Sequence, residues 1–454
     1  MGPSVRVVIV RHGESTYNVE RRFQGLLDKS VLTERGESQA VCTGKALQDL
    51  SFDLVCSSPL QRARQTADAI AIELHSAGHS VAVQSSPLLK EIALYSWEGM
   101  TFDEIREQHP DDFALWRQRP HDLQMGDRYP LRDLWQQATK FWQWLGSQPL
   151  RREDGQPPTV LIVAHSGINR ALIGTALGLA EPTYQQFGMN NCSISILNFL
   201  NGLDARAQVE SLNLTSHAGD CLPPSKGGTR LLLVRHGETQ WNREKRFQGQ
   251  RDIPLNQTGE EQGRLAGQFL QQQPLDVAFS SPLKRPWKTA EFILQSNASA
   301  QAIDPPLGLI PIDDLQEISH GLWEGLLDSE IEAQFPGELA VWQATPEVVQ
   351  MPEGENLQQV WERSFAAWQQ LVDQTAAVGD TATGLVVAHD AVNKAILCKL
   401  LNLEPDAFWY FKQGNGAVSA IDYPDGPAGL PVLRALNITS HQGGVIDCTA
   451  AGAL

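Results

Sequence analysis

The sequence predicts an α/β protein made of two tandem domains, each a mainly parallel sheet flanked by helices. Three observations lead to this prediction: the length of 454 residues, an internal repeat that spans half of it, and short apolar runs that alternate with segments of helical period. A chain of this length exceeds what one core normally supports, so roughly two or three domains are expected. Strands that alternate with helices favour parallel pairing, because each helix carries the chain back across the sheet.

The repeat consists of motifs that recur in the same order in both halves. An R-H-G motif ends an apolar run at residues 11–13 and again at 235–237, and the two histidines lie 224 residues apart. The other pairs are CSSPLQRARQTA (56–67) with FSSPLKRPWKTA (279–290), LLKEIALYSWEG (88–99) with DLQEISHGLWEG (314–325), and LIVAHSGINRAL (161–172) with LVVAHDAVNKAI (385–396). A repeat of this length predicts one complete domain per copy. We therefore predict domains at 1–217 and 230–454, joined by a linker rich in proline, glycine and serine at 218–229.

Polar residues follow several of the predicted strands of each copy. In the first copy, apolar β-rich runs predict strands at 5–10, 53–56, 159–163 and 193–199, with helix-period segments between them. Arg11 and His12 follow the first of these runs, Ser57 and Ser58 the second, and His165 the third. Open α/β sheets bind their ligands at the carboxyl ends of parallel strands. The sequence therefore predicts a site at this edge of the sheet.

Composition excludes several classes of partner. The formal net charge of −17 argues against nucleic acids and anionic membranes, which would repel the chain. No apolar run approaches the roughly 18 residues of a membrane-spanning helix, and the first residues resemble neither a signal nor a transit peptide, so we predict a cytoplasmic protein. The six cysteines show no C-x-x-C spacing and lie mostly in apolar segments, which predicts reduced, buried thiols. Small molecules are the expected partners, and the oligomeric state is not predicted.

The residues at the predicted site suit a phosphate ester. Arginine forks match phosphate oxygens, and histidines act as donors or nucleophiles. A glutamate beside phosphate oxygens would be pushed toward its protonated form, which is a general acid. A metal site is the rival reading, because His389-Asp390 resembles a metal-binding pair. The first copy has Ser166 at the place of Asp390, and no H-x-x-H spacing occurs, so no metal is predicted.

Taken together, these ordered motifs resemble the histidine phosphatase superfamily and its phosphoglycerate mutase-like fold. The resemblance covers nearly the whole chain outside the linker and implies an enzyme that needs no cofactor. It implies that His12 and His236 are nucleophiles that form a phosphohistidine, with Glu91 and Glu317 as general acid and base. It also implies phosphate-binding roles for Arg11, Asn18, Arg62, His165, Arg235, Asn242, Arg285 and His389. The loop over each site would contain Gln24 and Gly25, or Gln248 and Gly249.

The fold alone does not choose among the reactions of this family. The sequence lacks the long insert with paired arginines and prolines that is typical of cofactor-dependent mutases, which favours a phosphatase of small sugar or sugar-acid phosphates. The first copy resembles plant members of the family that act on 2-carboxyarabinitol 1-phosphate. Its segment 113–135 contains four arginines that the second copy lacks, and we expect Arg128 and Arg132 to bind a second anionic group. Two alternatives remain open: one half is a pseudoenzyme that binds a phosphorylated effector, or the protein is a mutase.

Overall fold

The chain folds into two compact units, Met1–Pro223 and Pro224–Leu454. The computed structural model describes residues 2–450. The division between the units falls inside the stretch 218–229 that the sequence marked as a linker. The first strand of the second unit already begins at Thr229, however, so this last residue belongs to the fold rather than to the connection.

The first unit contains a mixed sheet that is mainly parallel. Its strands are β1 Val5–Arg11, β2 Leu54–Ser57, β3 Val83–Ser85, β4 Thr159–Ala164, β5 Ile194–Phe199 and β6 Gln208–Leu214. They are ordered β3-β2-β4-β1-β5-β6. β1, β2, β3 and β4 pair in parallel, and β5 runs antiparallel to both of its neighbours. Every residue of β4 is buried, as expected for a parallel strand that is covered on both faces of the sheet.

Helices cover the sheet of the first unit. They are α1 Thr16–Val19, α2 Glu34–Ala46, α3 Gln61–Ser76, α4 Phe102–Gln108, α5 Pro110–Gln118, α6 Pro130–Gly146 and α7 Ser166–Ala176. Short 3-10 helices lie at Pro87–Leu89, Tyr95–Trp97, Pro120–Asp122, Glu181–Gln186 and Ser216–Ala218. α2 packs against α3, and α6 packs against α7. α6 buries a stripe that includes Leu131, Leu134, Trp135 and Ala138, at the spacing of one helical face.

The second unit repeats this architecture. Its strands are β7 Thr229–Arg235, β8 Val277–Ser280, β9 Leu309–Pro311, β10 Thr383–Ala388, β11 Val418–Tyr423 and β12 Val432–Ile438. Its helices are α8 Gln240–Glu244, α9 Gln257–Phe269, α10 Lys284–Ser296, α11 Ala298–Ala302, α12 Asp328–Gln334, α13 Glu338–Ala344, α14 Leu357–Val378 and α15 Asp390–Leu400. Further 3-10 helices lie at Asp313–Leu315, Gly321–Trp323, Pro346–Val348, Pro405–Tyr410 and Ser440–Gln442. The strand order β9-β8-β10-β7-β11-β12 matches that of the first unit. The prediction of two mainly parallel α/β folds is therefore confirmed.

The sheet brings the carboxyl ends of its parallel strands together. In the first unit Arg11 is aligned with Ala164, and Ser57 with Val163. The residues that follow these strands therefore leave the sheet side by side. Gly13 allows the chain after β1 to pass close to α2, because a Cβ at this position would lie 2.4 Å from the carbonyl oxygen of Gly36. This close approach explains the glycine of the R-H-G motif.

The cysteines are only partly as predicted. All six are free thiols, and Cys56, Cys192 and Cys398 are buried. Cys221 and Cys448 are exposed, so the prediction of a buried thiol is wrong for these two: they lie outside the helices and strands, where the surrounding chain does not cover them. Within residues 2–450, no helix has the length and apolar character needed to cross a membrane.

Candidate active site

Two arginines line the floor of the first pocket with fixed positive charge. Arg11 Nη1 donates to the carbonyl oxygen of Met189 over 2.7 Å, and Arg62 donates to the carbonyl oxygens of Gly25 (3.0 Å) and Leu27 (3.2 Å). Burial lowers the pKa of Arg11 to about 10, which keeps it charged at neutral pH, and burial also lowers the pKa of Arg62. The Nε atom of each is buried and has no hydrogen-bond partner among the described residues. Two oriented donors are therefore available to a ligand.

His12 lies beside these arginines as a neutral ring. Its Nδ1 is 2.7 Å from the carbonyl oxygen of Gly13, and a carbonyl can only accept, so Nδ1 carries the hydrogen. Burial holds the pKa of His12 well below its ordinary value, and the charges of Arg62 and Arg11 lower it further. Nε2 is then left with a lone pair, which is the state a nucleophile needs.

His165 presents a third donor. Its ring centroid lies 5.2 Å from that of His12, and its Nε2 is 2.8 Å from Ser58 Oγ. The Ser58 hydroxyl accepts from the backbone N–H of Leu60, and His165 Nε2 is the only acceptor for its own hydrogen among the described residues, so the hydroxyl donates to Nε2. The hydrogen of His165 is thereby assigned to Nδ1, which is buried without a hydrogen-bond partner among residues 2–450.

Glu91 is held at the amino end of α7. Its Oε1 accepts from the backbone N–H groups of Ile92 (2.9 Å) and Ile168 (3.1 Å), and its Oε2 accepts from that of Gly167 (3.0 Å). Its charge contributes to the pKa values of Arg11 and Arg62, which places it in the same pocket. These bonds fix the carboxyl group close to the arginines and histidines.

The predicted phosphate-binding asparagine and the loop of Gln24 and Gly25 also belong to this pocket. Asn18 Oδ1 accepts from Ser15 (backbone N–H 3.1 Å, Oγ 2.9 Å) and from Asn191 Nδ2 (3.1 Å), so its amide nitrogen is the part oriented to donate. Gln24 Oε1 accepts from Ser15 Oγ. Gly25 has a φ of 50° and gives its carbonyl to Arg62. The loop therefore helps to position Arg62.

Arg128 and Arg132 lie elsewhere. Both are exposed: Arg128 is 3.7 Å from the carboxylate of Asp133, and the guanidinium of Arg132 lies 4.2 Å from the ring centroid of Tyr129. In the described part of the chain no contact joins either arginine to the buried pocket. Position 132 falls on the face of α6 opposite its apolar stripe, which explains the exposure. A role for these two in binding substrate stays a prediction without structural support.

The second pocket repeats the reacting groups. His236 Nδ1 lies 2.7 Å from the carbonyl oxygen of Gly237, and His389 Nε2 lies 2.9 Å from Ser281 Oγ. The two ring centroids are 5.1 Å apart, and burial lowers the pKa of both histidines well below the ordinary value. Most of the remaining predicted residues make matching contacts: Arg285 with the carbonyl oxygens of Gly249 and Arg251, Arg235 with that of Gln413, and Asn242 with Thr239 and Asn415. One contact differs, because Arg285 Nε donates to His236 Nε2 over 3.2 Å, whereas Arg62 Nε has no hydrogen-bond partner among the described residues. Gln248 is buried next to Gly249.

Glu317 differs from Glu91 in its surroundings. It is 4% exposed, and its carboxylate accepts from the backbone N–H groups of Ile318, Asp390 and Ala391. Burial raises the pKa of Glu317, and the neighbouring charge of Asp390 raises it further. The expected shift toward the protonated acid is thus present in the second pocket, where the charge of Asp390 adds to the effect of burial.

A cluster of aromatic side chains and one further cation lie near each site, and the sequence patterns did not single these out. In the first domain the cluster contains Phe23, Trp97, Trp116 and Tyr184, and in the second it contains Phe247, Trp323, Trp342 and Phe408, linked through His320. Arg170 lies 5.2 Å from the ring centroid of Tyr184, and Lys394 lies 4.8 Å from that of Phe408. The sequence signal for this cation is a basic residue that lies five positions after the pocket histidine in both copies.

Comparison with known proteins agrees with this geometry. The histidine phosphatase superfamily (branch 1) matches residues 7–214 and again residues 231–438. The chain belongs to the histidine phosphatase superfamily. It is therefore a phosphatase of phosphorylated metabolites with two tandem domains of the phosphoglycerate mutase-like fold, as the sequence predicted. Within residues 2–450 no group of three or more histidines, cysteines or acidic residues has an arrangement that could hold a metal ion.

Two plant relatives of this superfamily are similar along almost the whole chain. A 2-carboxy-D-arabinitol-1-phosphatase of Triticum aestivum is 32% identical over 96% of the chain and 86% of that protein. A probable 2-carboxy-D-arabinitol-1-phosphatase of Arabidopsis thaliana is 30% identical over 96% of the chain and 88% of its own length. A bacterial relative matches one half: phosphoserine phosphatase 1 of Hydrogenobacter thermophilus is 33% identical over 47% of the chain and 94% of that protein.

Proposed function

We propose that each domain hydrolyses small phosphomonoesters through a phosphohistidine, without a metal ion. One observation carries this proposal. In the first pocket a neutral histidine with a free Nε2 lies among three buried donors, Arg11 Nε, Arg62 Nε and His165 Nδ1, that have no hydrogen-bond partner among the described residues. Buried donors without partners are costly, and the three equatorial oxygens of a phosphoryl group would satisfy them.

The proposed reaction has two displacements at phosphorus. His12 Nε2 attacks the phosphorus atom and forms a P–N bond while the bond from phosphorus to the ester oxygen breaks, and protonated Glu91 gives its proton to the departing alkoxide. Water then attacks the phosphohistidine, Glu91 takes its proton, and the P–N bond breaks to restore His12 and release phosphate. Fixed positive groups stabilise the charge on the transferred oxygens in both steps. His236 and Glu317 take the same roles in the second domain.

We further propose that the first site acts on esters whose alcohol part carries a carboxylate, such as 2-carboxyarabinitol 1-phosphate. Arg170 supports this choice, because its charge acts on Arg11 and its Nε is buried without a hydrogen-bond partner in the described chain. It fits the anionic group better than the exposed Arg128 and Arg132. The names of the two plant relatives point in the same direction.

Phosphate release tests the proposal. We would assay a panel of sugar phosphates, sugar-acid phosphates and phosphoserine with wild type, His12→Ala, His236→Ala and the double variant. Each single variant should lose at least about 10³-fold in kcat/KM for its own substrates, as expected when a nucleophile is removed. His75→Ala is the matched control, since this histidine lies exposed in the last turn of α3. Arg170→Ala should lower kcat/KM for carboxylated esters and spare neutral ones.

Other outcomes separate the alternatives. Acid-labile, alkali-stable labelling from a ³²P ester that one site hydrolyses should disappear in the variant that lacks the nucleophile of that site and persist in the other single variant. If His12→Ala alone is as inactive as the double variant, the second domain is a pseudoenzyme. If the phosphate reappears on a second hydroxyl of the product instead of being released, the protein is a mutase and the hydrolytic proposal fails.

A further inference from the structure

The two pockets differ at the residue that follows the phosphate-binding histidine. Ser166 begins α7 in the first domain, and Asp390 begins α15 in the second. Asp390 is 3% exposed, which is rare for a carboxylate without strong pairing. It lies beside Arg235 and Glu317, so a second acidic group stands in a pocket that is built to hold an anion.

The contacts of Asp390 use only part of its hydrogen-bonding capacity. Oδ2 accepts from Lys394 Nζ over 2.8 Å. Oδ1 lies 3.6 Å from Arg235 Nη1, beyond hydrogen-bond distance, and has no hydrogen-bond partner within residues 2–450. A buried carboxylate oxygen in this state is unfavourable unless a donor reaches it. A hydroxyl or ammonium group of a ligand would be such a donor.

In the second pocket the additional cation, Lys394, already has partners. Lys394 is paired with Asp390, and its ammonium lies 4.8 Å from the ring centroids of both Phe408 and Trp409. Arg170, its counterpart in the first domain, has no such carboxylate, because the residue one turn earlier is Ser166. Asp390 therefore adds one negative charge to the second pocket relative to Ser166, and the further cation that acts on His389, Arg363, is paired with Glu355.

We propose that Asp390 sets the substrate class of the second site: phosphate esters whose alcohol part is neutral or carries an amine, with carboxylated esters excluded. This inference rests on the proposed function, since it requires the phosphoryl group to be held by Arg235, Arg285 and His389. Asp390 Oδ1 accepts a hydrogen bond from the alcohol part and repels a second anion there. Because Lys394 is paired with Asp390, the full effect of the Asp390 charge shows when that charge is removed: one unit charge roughly 8 Å from a substrate carboxylate, at an effective dielectric constant of about 20, corresponds to a change of about 30-fold in preference.

A matched pair of substrates tests this inference. Sorbitol 6-phosphate and 6-phosphogluconate have the same open chain and differ at one end, where a hydroxymethyl group replaces a carboxylate. In the His12→Ala chain, which reports the second site, kcat/KM should favour sorbitol 6-phosphate. Adding Asp390→Asn, which keeps the shape and removes the charge, should shift the ratio of the two kcat/KM values by about 30-fold toward 6-phosphogluconate. The ratio of the two substrates is the readout, because a change in the acid Glu317 affects both equally.

Controls and a binding measurement keep the outcome decisive. Asp406→Asn removes an exposed charge from the same domain and should leave the ratio unchanged. In the His236→Ala chain, Ser166→Asp should shift the preference of the first site toward sorbitol 6-phosphate. For a second site that turns over neither ester, calorimetry on the His12→Ala/Arg62→Ala/His236→Ala chain measures binding of the same two compounds.

The outcomes separate the two proposals. Binding that prefers sorbitol 6-phosphate, loses this preference with Asp390→Asn and occurs without turnover would refute hydrolysis at the second site and support the role of Asp390. A ratio that Asp390→Asn leaves unchanged overturns the role of Asp390, whether or not the site is active. Binding of neither ester overturns it as well.

Discussion

His320 should make the second domain less stable at acid pH, and His320→Leu should remove this loss. Its ring is fully buried against Phe247 and Trp342, and neither ring nitrogen has a hydrogen-bond partner in the described chain. Burial lowers the pKa of His320 to about 3. The first domain has Leu94 at the corresponding place, 2% exposed, so a hydrocarbon side chain fills the equivalent space.

The size of the effect follows from proton linkage. A histidine in the unfolded chain has a pKa of about 6.5 and binds a proton below that pH, whereas the folded ring stays neutral until the pH nears 3. The stability contribution is therefore complete above pH 6.5 and is lost as the pH falls toward 3. Between about pH 7.5 and pH 5 the loss amounts to about 2 kcal/mol. The other buried histidines titrate in wild type and variant alike, so they cancel in the comparison.

Urea unfolding at about pH 7.5 and pH 5 measures this difference. With a denaturant dependence of roughly 3 kcal/mol per molar urea, 2 kcal/mol corresponds to about 0.7 M in the midpoint. Pulsed hydrogen exchange read by mass spectrometry on peptides of β10 and β4 assigns each transition to its domain. Equal losses in wild type and His320→Leu would refute the reasoning. The reciprocal variant Leu94→His should transfer the acid sensitivity to the first domain.

Three further predictions follow from the pockets and the cysteines. Ser58→Ala should lower kcat/KM at the first site by about 10-fold to 100-fold, because His165 loses the hydrogen bond that assigns its hydrogen to Nδ1. A change in KM alone, with kcat unchanged, would contradict this. Asp390→Asn should lower the pKa of Glu317. In the His12→Ala chain the alkaline limb of the kcat/KM pH profile should therefore move to lower pH. A limb that does not move would show that Asp390 does not act on Glu317. Cys221 and Cys448 should react quickly with a disulfide reagent in the native protein, with the buried thiols reacting only after unfolding.

The meeting of Arg11, His12 and His165 at one edge of the sheet could be predicted, because two rules act on these residues. Short apolar runs that alternate with helical segments fix a parallel sheet, and a parallel sheet gathers the residues that follow its strands. Arg11, His12 and His165 are such residues, and the structure places all three within one pocket. The repeat supplied a second instance of each, which separated these positions from chance occurrences of the same residue types.

The position of Arg132 on α6 explains why the structure does not support its predicted role in the substrate loop. Arg128 and Arg132 have no counterpart in the second copy, but this difference does not show in which direction their side chains point. The apolar stripe of α6 decides the direction, and it turns position 132 to solvent. Arg170 lies within an apolar helix, where a single basic residue usually marks the solvent-exposed face, so the sequence pattern does not indicate a site residue. Its place beside Arg11 depends on how α7 crosses the sheet, which the sequence pattern does not contain.

The two pockets share the hydrogen bonds that fix the tautomers of their histidines, but Arg285 Nε donates to His236 Nε2 over 3.2 Å, whereas Arg62 Nε has no partner among the described residues. The bond that leaves Nε2 unprotonated is 2.7 Å long in both His12 and His236, and the serine bond to the second histidine differs by only 0.1 Å between His165 and His389. In the second pocket the lone pair of Nε2 accepts from Arg285 Nε, so attack on phosphorus requires this hydrogen bond to pass to a phosphoryl oxygen of the substrate. Since the phosphoryl group is common to all substrates and the alcohol is not, differences such as Ser166 against Asp390 change the substrate and leave the reaction intact.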